Sequence, residues 1–132
     1  MLDKCLNMIY GIGTDFVDVS RIERILEKWG SRFLGRVFAN GEIEYCKNRA
    51  FPAVHFAARF AAKESFLKSL GIGLGMGINL REIEVGNNAA GSPVLKLNEK
   101  LGSMLLELGV KKIHMSMTHT REYAHAIVVL EQ

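Results

Sequence analysis

Pro52-Ala53-Val54-His55-Phe56-Ala57-Ala58-Arg59-Phe60-Ala61-Ala62-Lys63-Glu64-Ser65-Phe66-Leu67-Lys68-Ser69-Leu70 is the stretch whose reading decides the fold. It opens on a proline, which suits a first helical position, and has no glycine or proline inside it, so it predicts one long helix. Phe56 to Ala62 is apolar apart from Arg59 and reads as buried helix, so charges beside it need partners. Glu64 and Lys68, and likewise Arg59 and Lys63, are four residues apart and therefore neighbours on the helix surface. Spacing alone makes Glu64 and Lys68 an ordinary surface ion pair.

Working outward, Ile9 to Val19 is apolar and β-branched and predicts a buried strand, with Gly11 and Gly13 allowing close backbone approach. Ser20, with Glu23 three residues on, offers a capping box for a helix; Asp18 is the better cap candidate. Val19, Ile22, Ile25, Leu26 and Trp29 share the apolar face of that helix, Arg21, Arg24 and Lys28 share another, and Gly30 ends it. Residues 31–41 predict a short helix or turn, and Glu42 to Asn48 another short helix. Beyond the central helix, Gly71, Gly73, Gly75 and Gly77 impose a turn-rich loop. Arg81 to Gly86 and Pro93 to Asn98 predict a hairpin, and Glu99 to Leu108 an amphipathic helix. Lys111 to His119 alternates, and Tyr123 to Leu130 is a last apolar strand after a turn at Thr120-Arg121-Glu122. The pattern is α+β, a mostly antiparallel sheet packed against a long central helix and shorter helices.

The chain has 132 residues, enough for one domain with a real core. Hydrophobic residues make up 48% and charged residues 23%, ordinary for a globular protein, and no apolar run reaches the roughly 20 residues that span a bilayer. Residues 1–7 lack the apolar core of a signal peptide and read as an N-terminal extension, leaving 8–132 as the domain. Cys5 and Cys46 make no metal pair or disulfide framework, which suits a reducing cytoplasm. The net charge is +3, with Arg21, Arg24, Lys28, Arg32 and Arg36 concentrated in one region, a basic face for an acidic partner.

Asp15 at a strand end and Glu64 on a helix that also carries Arg59 and Lys68 suit a hard divalent cation facing phosphates, since Mg²⁺ is held by one or two carboxylates plus phosphate oxygens. Asp15 read alone starts a turn, and His119 read alone is a structural or exposed histidine. Ser116 and Thr118 share a strand face, with His119 at the strand end; two hydroxyls and an imidazole there suit phosphate contacts. The glycine-rich loop is no P-loop, because it lacks the Gly-Lys-Ser/Thr ending and follows a helix. No zinc spacing links the histidines, and no nucleophile motif surrounds Ser65, Ser116 or either cysteine, which leaves the nucleophile to a partner.

Gly11-Ile12-Gly13-Thr14-Asp15, Phe60-Ala61-Ala62-Lys63-Glu64-Ser65-Phe66-Leu67-Lys68 and Ser116-Met117-Thr118-His119 resemble, in order, the three motifs of the holo-acyl-carrier-protein synthases, small members of the 4'-phosphopantetheinyl transferase superfamily. The resemblance runs from about Met8 to Glu131. Thr118 stands where the family usually has serine, which keeps the hydroxyl. It implies the 4'-phosphopantetheinyl transferase fold and Mg²⁺-dependent transfer of 4'-phosphopantetheine from coenzyme A to a serine of apo-acyl carrier protein, releasing adenosine 3',5'-bisphosphate and supporting fatty acid biosynthesis. Asp15 and Glu64 would hold the metal. Glu64 and Lys68 would be catalytic, with Glu64, or a water it orients, taking the serine proton. Arg59, Lys68, Ser116, Thr118 and His119 would bind coenzyme A, the glycine-rich loop would border its pocket, and Arg21, Arg24 and Lys28 would bind the acidic carrier protein.

Family members of this size form trimers with active sites between subunits, and Met115, Met117, Ile127 and Val129 are the candidates for the surface a trimer would cover. The competing readings are a Mg²⁺-dependent coenzyme A hydrolase, which needs no acceptor, and a nucleic-acid-binding domain. The second has the basic helix in its favour, but recognition-helix, zinc and aromatic RNA-binding motifs are missing from the sequence.

Overall fold

The long helix forms as its sequence predicts, and the rest of the chain is arranged around it. A computed structural model describes residues 8–71 and 77–132. The expected extension at 1–7 and most of the expected glycine-rich loop lie outside the described residues. Strand β1 (Ile9–Asp18) leads into α1 (Val19–Trp29), α2 (Ser31–Val37), α3 (Asn40–Lys47) and the central helix α4 (Pro52–Ser69). A short 3-10 turn (Leu80–Glu82) precedes the hairpin β2 (Ile83–Asn87) and β3 (Pro93–Leu97); helix α5 (Glu99–Glu107) and strands β4 (Lys112–His119) and β5 (Tyr123–Glu131) follow.

All strand pairs are antiparallel, but the sheet is divided: β1-β5-β4 form one sheet and β2-β3 a separate ribbon. Alternation along the strands sends Ala124, Ala126, Val128 and Leu130 of β5 inward against α4, all four buried. By register, Ile127 and Val129 belong to the opposite, open face, along with Ile12 and Phe16 of β1. Met115 and Met117 lie opposite Val128 and Ala126 and pack on the core, so the trimer surface expected from these two methionines is corrected: they face inward. Trp29 is corrected too. It is 48% exposed, with Lys28 Nζ 5.2 Å and the Arg32 guanidinium 6.0 Å from its ring centroid. The Ser20–Glu23 capping box gives way to Asp18, whose carboxylate accepts from Ser20 N at 3.0 Å and Ser20 Oγ at 2.7 Å.

Two contacts fix α4. Where α4 crosses β1, a Cβ built on Gly13 would run into the Ser65 carbonyl and lie 2.6 Å from Ser69 N, and one on Gly11 would meet the Ser69 carbonyl. Only glycine permits that approach. On the other side, Lys63 is fully buried and donates to Glu42 Oε1 at 2.6 Å and to the carbonyls of Leu80 (3.0 Å) and Ile83. Glu42, 1% exposed, also accepts from Ala39 N at 2.9 Å and Val85 N at 3.0 Å. The pair thus pins α3, α4 and β2 together with its hydrogen-bonding capacity used, and losing one partner of such a pair costs about 3–5 kcal/mol.

Gly13→Ala is expected to lower the unfolding free energy by about 3 kcal/mol, the upper end for overpacking against an unyielding backbone. Gly102→Ala, in the interior of α5 with nothing within 4 Å of the added methyl, should instead gain about 0.5–1 kcal/mol. Urea denaturation of both variants checks the contrast, and equal stability of the Gly13 variant and the parent would contradict the tight crossing.

Candidate functional site

The glycine crossing lays the middle of β1 along the last turns of α4, and this is what brings Asp15 and Glu64 together; Asp15, expected at a strand end, is corrected to a position inside the strand, which runs on to Asp18. Asp15 pairs in register with Ala126, which the Ser65 hydroxyl reaches from α4 at 3.0 Å, so Asp15 stands on the helix side of the sheet. Lys68 Nζ donates to Asp15 Oδ1 and to the Thr14 carbonyl, both at 3.0 Å. The ion pair expected between Glu64 and Lys68 along the helix is therefore replaced by one from helix to strand. Asp15 is mostly buried on its side chain, while Lys68 is half exposed.

Glu64 is half-buried. Burial, and then the Asp15 charge, push its carboxyl above the usual range, while Lys68 and Arg21 pull the other way. Two carboxylates repelling each other beside an accessible lysine form a donor set short of positive charge, and hard oxygen donors of this kind fit Mg²⁺. Among the described residues no group of three or more His, Cys, Asp or Glu is clustered for metal binding. Arg21, from the basic face of α1, acts electrostatically on Glu64. Arg24 donates to Ser20 Oγ at 3.2 Å, and Lys28 lies over Trp29.

Arg59 and His119 belong to a second group, linked through the rings of Tyr45 and His55. From Asp15, His119 is two rows along the sheet (about 7 Å) and two strands across (about 10 Å). Arg59 is 3% exposed and its Nε has no hydrogen-bond partner. Its guanidinium lies 4.2 Å from the Tyr45 ring centroid, Arg49 lies 4.0 Å from the same ring, and His119 stacks edge-on against His55 at 5.4 Å. Sequence reasoning did not single out Tyr45, Arg49 or His55. The signal was there: Tyr45 and Arg49, and His55 and Arg59, each repeat at the four-residue helical spacing.

Ser116 and Thr118 do not join either group. Register places them opposite Ile127 and His125, on the open face of the sheet, whereas His119 pairs with buried Ala124 on the helix side. Strict alternation separates them from the imidazole they precede in sequence. Cys46 is buried, and burial raises its thiol to about 11, so it offers no thiolate at neutral pH.

Residues 11–128 match the family model of the 4'-phosphopantetheinyl transferase superfamily. A holo-[acyl-carrier-protein] synthase of Syntrophus aciditrophicus is 56% identical over 124 residues, 94% of this chain and 97% of the relative. The crystal structure of a holo-[acyl-carrier-protein] synthase from Neisseria meningitidis superposes with a TM-score of 0.88 at 37% identity, covering 95% of this chain and all of the other. The enzyme from Bacillus anthracis, solved in complex with CoA (3',5'-ADP), superposes with a TM-score of 0.76 at 34% identity over 94% of this chain and 97% of its own.

A carboxyl held above its unfolded value of 4.5 opposes folding while it is charged. The strain is present at neutral pH and is relieved as pH falls through the raised value and Glu64 gains its proton. Metal-free Glu64→Gln is therefore expected to melt higher than the parent at pH 7.5. The difference should shrink toward pH 4.5, and a thermal melting series over that range measures it.

Proposed function

The chain belongs to the 4'-phosphopantetheinyl transferase superfamily, and from that premise we propose the details of its reaction. It transfers 4'-phosphopantetheine from coenzyme A to a serine of apo-acyl carrier protein, releases adenosine 3',5'-bisphosphate, and serves fatty acid biosynthesis in the cytoplasm. No helix among the described residues is long and apolar enough to cross a membrane. The carrying observation is the convergence of Asp15, Glu64 and Lys68 where α4 crosses β1.

Asp15 and Glu64 are the residues that would hold Mg²⁺, which when bound neutralises charge on the coenzyme's diphosphate. The new bond joins the serine Oγ to the β-phosphorus of coenzyme A. The bond that breaks runs from that phosphorus to the bridging oxygen, and its electron pair leaves with adenosine 3',5'-bisphosphate. The exposed amine of Lys68, tied to Asp15 at 3.0 Å, is placed to balance the leaving group's charge. Glu64, or a water that it orients, is the group to take the serine proton.

Arg59 and His119 bind the coenzyme's remaining phosphate, at a distance from the diphosphate end that a nucleotide can bridge. Ser116 and Thr118 lie on the open face, the one a homotrimer would cover, where an active site between subunits would bring them to the coenzyme. Arg21, then Arg24 and Lys28, form the docking face for an acidic carrier protein, and Arg21 reaches closest to the chemistry through its charge on Glu64. Ile12, Phe16, Ile127 and Val129 on the open face support a homotrimer.

Intact mass spectrometry of apo-acyl carrier protein after incubation with coenzyme A, Mg²⁺ and the enzyme should show a gain of one phosphopantetheine. Glu64→Ala or EDTA should abolish it, and Lys68→Ala should cost about 100-fold or more in kcat. Loss of coenzyme A with the acceptor unmodified would replace transfer by hydrolysis. Salt-sensitive binding of nucleic acid without turnover would replace both. Arg21→Glu should raise KM for the carrier protein about tenfold at low salt, and the effect should fade at high ionic strength, as steady-state assays at both salts would show.

A further inference from the structure

We infer that Tyr45 and His55 are positioning residues: their rings form an aromatic seat that holds Arg49 and Arg59, with His119 beside them, ready for a phosphate without neutralising the two guanidinium groups. The inference rests on the reading above, in which Arg59 and His119 meet a coenzyme phosphate, and it extends that reading to residues outside the three sequence motifs.

The geometry is specific. Arg49 and Arg59 approach the Tyr45 ring at 4.0 and 4.2 Å from its centroid, inside the range of a cation over an aromatic face. Tyr45 meets His55 edge-on at 6.2 Å, and His55 meets His119 edge-on at 5.4 Å, which continues the stack to the end of β4. Three segments contribute: α3 and the turn after it, the first half of α4, and the end of β4. Among the described residues no carboxylate lies within salt-bridge range of Arg49, Arg59 or His119.

This absence has a chemical consequence. A carboxylate partner would hold a guanidinium in place but cancel the charge that a phosphate needs. An aromatic face holds it through the ring quadrupole and leaves its N–H groups and its charge for the ligand. Arg59 carries the mark of such an arrangement, since it is 3% exposed and its Nε lacks a partner. A donor buried in that way is costly until an acceptor arrives.

The groups acting on His55 are His119 from β4, Arg59 from α4 and Arg49 from the turn after α3, all basic; burial and these charges together hold its imidazole below the ordinary value. His55 is thus neutral at and above pH 7, as an aromatic support for His119 requires.

The test is calorimetric binding of coenzyme A and, without divalent cation, of adenosine 3',5'-bisphosphate to the full chain and to Tyr45→Phe, Tyr45→Ala, His55→Phe and His55→Ala, with melting temperatures as folding controls. Both Phe variants keep the ring and should retain affinity within about twofold. Tyr45→Ala should weaken both ligands about tenfold and His55→Ala several-fold. Between pH 7 and 8.5 the affinity of His55→Phe should track that of the parent. The inference is overturned if the Phe variants lose as much as the Ala variants, if the Ala variants bind like the parent, or if His55→Phe alone loses its pH dependence, which would make His55 a direct charged contact. A parent that binds coenzyme A only with divalent cation, and not the bisphosphate without it, would overturn the seat and leave the metal site standing. A parent that binds neither ligand would overturn the functional reading itself.

Discussion

The contact on which the rest depends is the crossing of α4 over β1, where two glycines let one backbone rest on another. Hydrogen in place of a side chain at Gly11 and Gly13 admits the carbonyls of Ser69 and Ser65 to the strand surface. A helix normally stands off a sheet by the depth of a side-chain layer. Removing that layer at one point brings the Asp15 carboxylate of β1 beside the carboxylate and lysine on the last turns of α4. Asp15, Glu64 and Lys68 meet because of the glycines: the two carboxylates repel each other, and Lys68, paired with Asp15 at 3.0 Å, offsets that repulsion only in part.

Such a crossing must be held against rotation. The buried Lys63–Glu42 pair does this from the opposite side of the helix, tying α4, α3, β2 and the 3-10 turn before it through four hydrogen bonds. Burial pushes the Lys63 ammonium toward neutrality, and Glu42 opposes that push. A pair of this kind contributes less to net stability than to geometry, because any shift of α4 along its axis would strand one charge in the core. Lys63 and Glu64 are adjacent in sequence, about a quarter-turn apart on α4, one locking the helix in the core and the other half-buried at the site.

The two cationic ends of the site are built on different principles. Near Asp15 and Glu64, positive charge from Lys68 and Arg21 meets negative charge, and the balance leaves Glu64 strained toward protonation. Around Arg49 and Arg59, positive charge is supported by rings and buried surface, and His119 joins through His55. The first arrangement suits chemistry, where charge develops and moves. The second suits binding of a fixed anion.

Local sequence determined the elements: the proline-led helix without internal glycine, the alternation in β4 and β5, the hairpin turn and the basic face of α1 were all legible because each is a periodicity within one segment. Gly11, Gly13, Asp15, Glu64 and Lys68 were legible as well, through the motif that carries them. What the tertiary structure decided was every pairing across segments. It divided the sheet in two, gave Lys68 to Asp15 instead of Glu64, turned Met115 and Met117 inward, left Trp29 in the open, placed Ser116 and Thr118 away from His119, and joined Lys63 to Glu42 and Arg59 to Tyr45. These depend on register and on the crossing of α4, which are fixed when distant segments pack, and a one-residue step along a strand is enough to exchange its two faces.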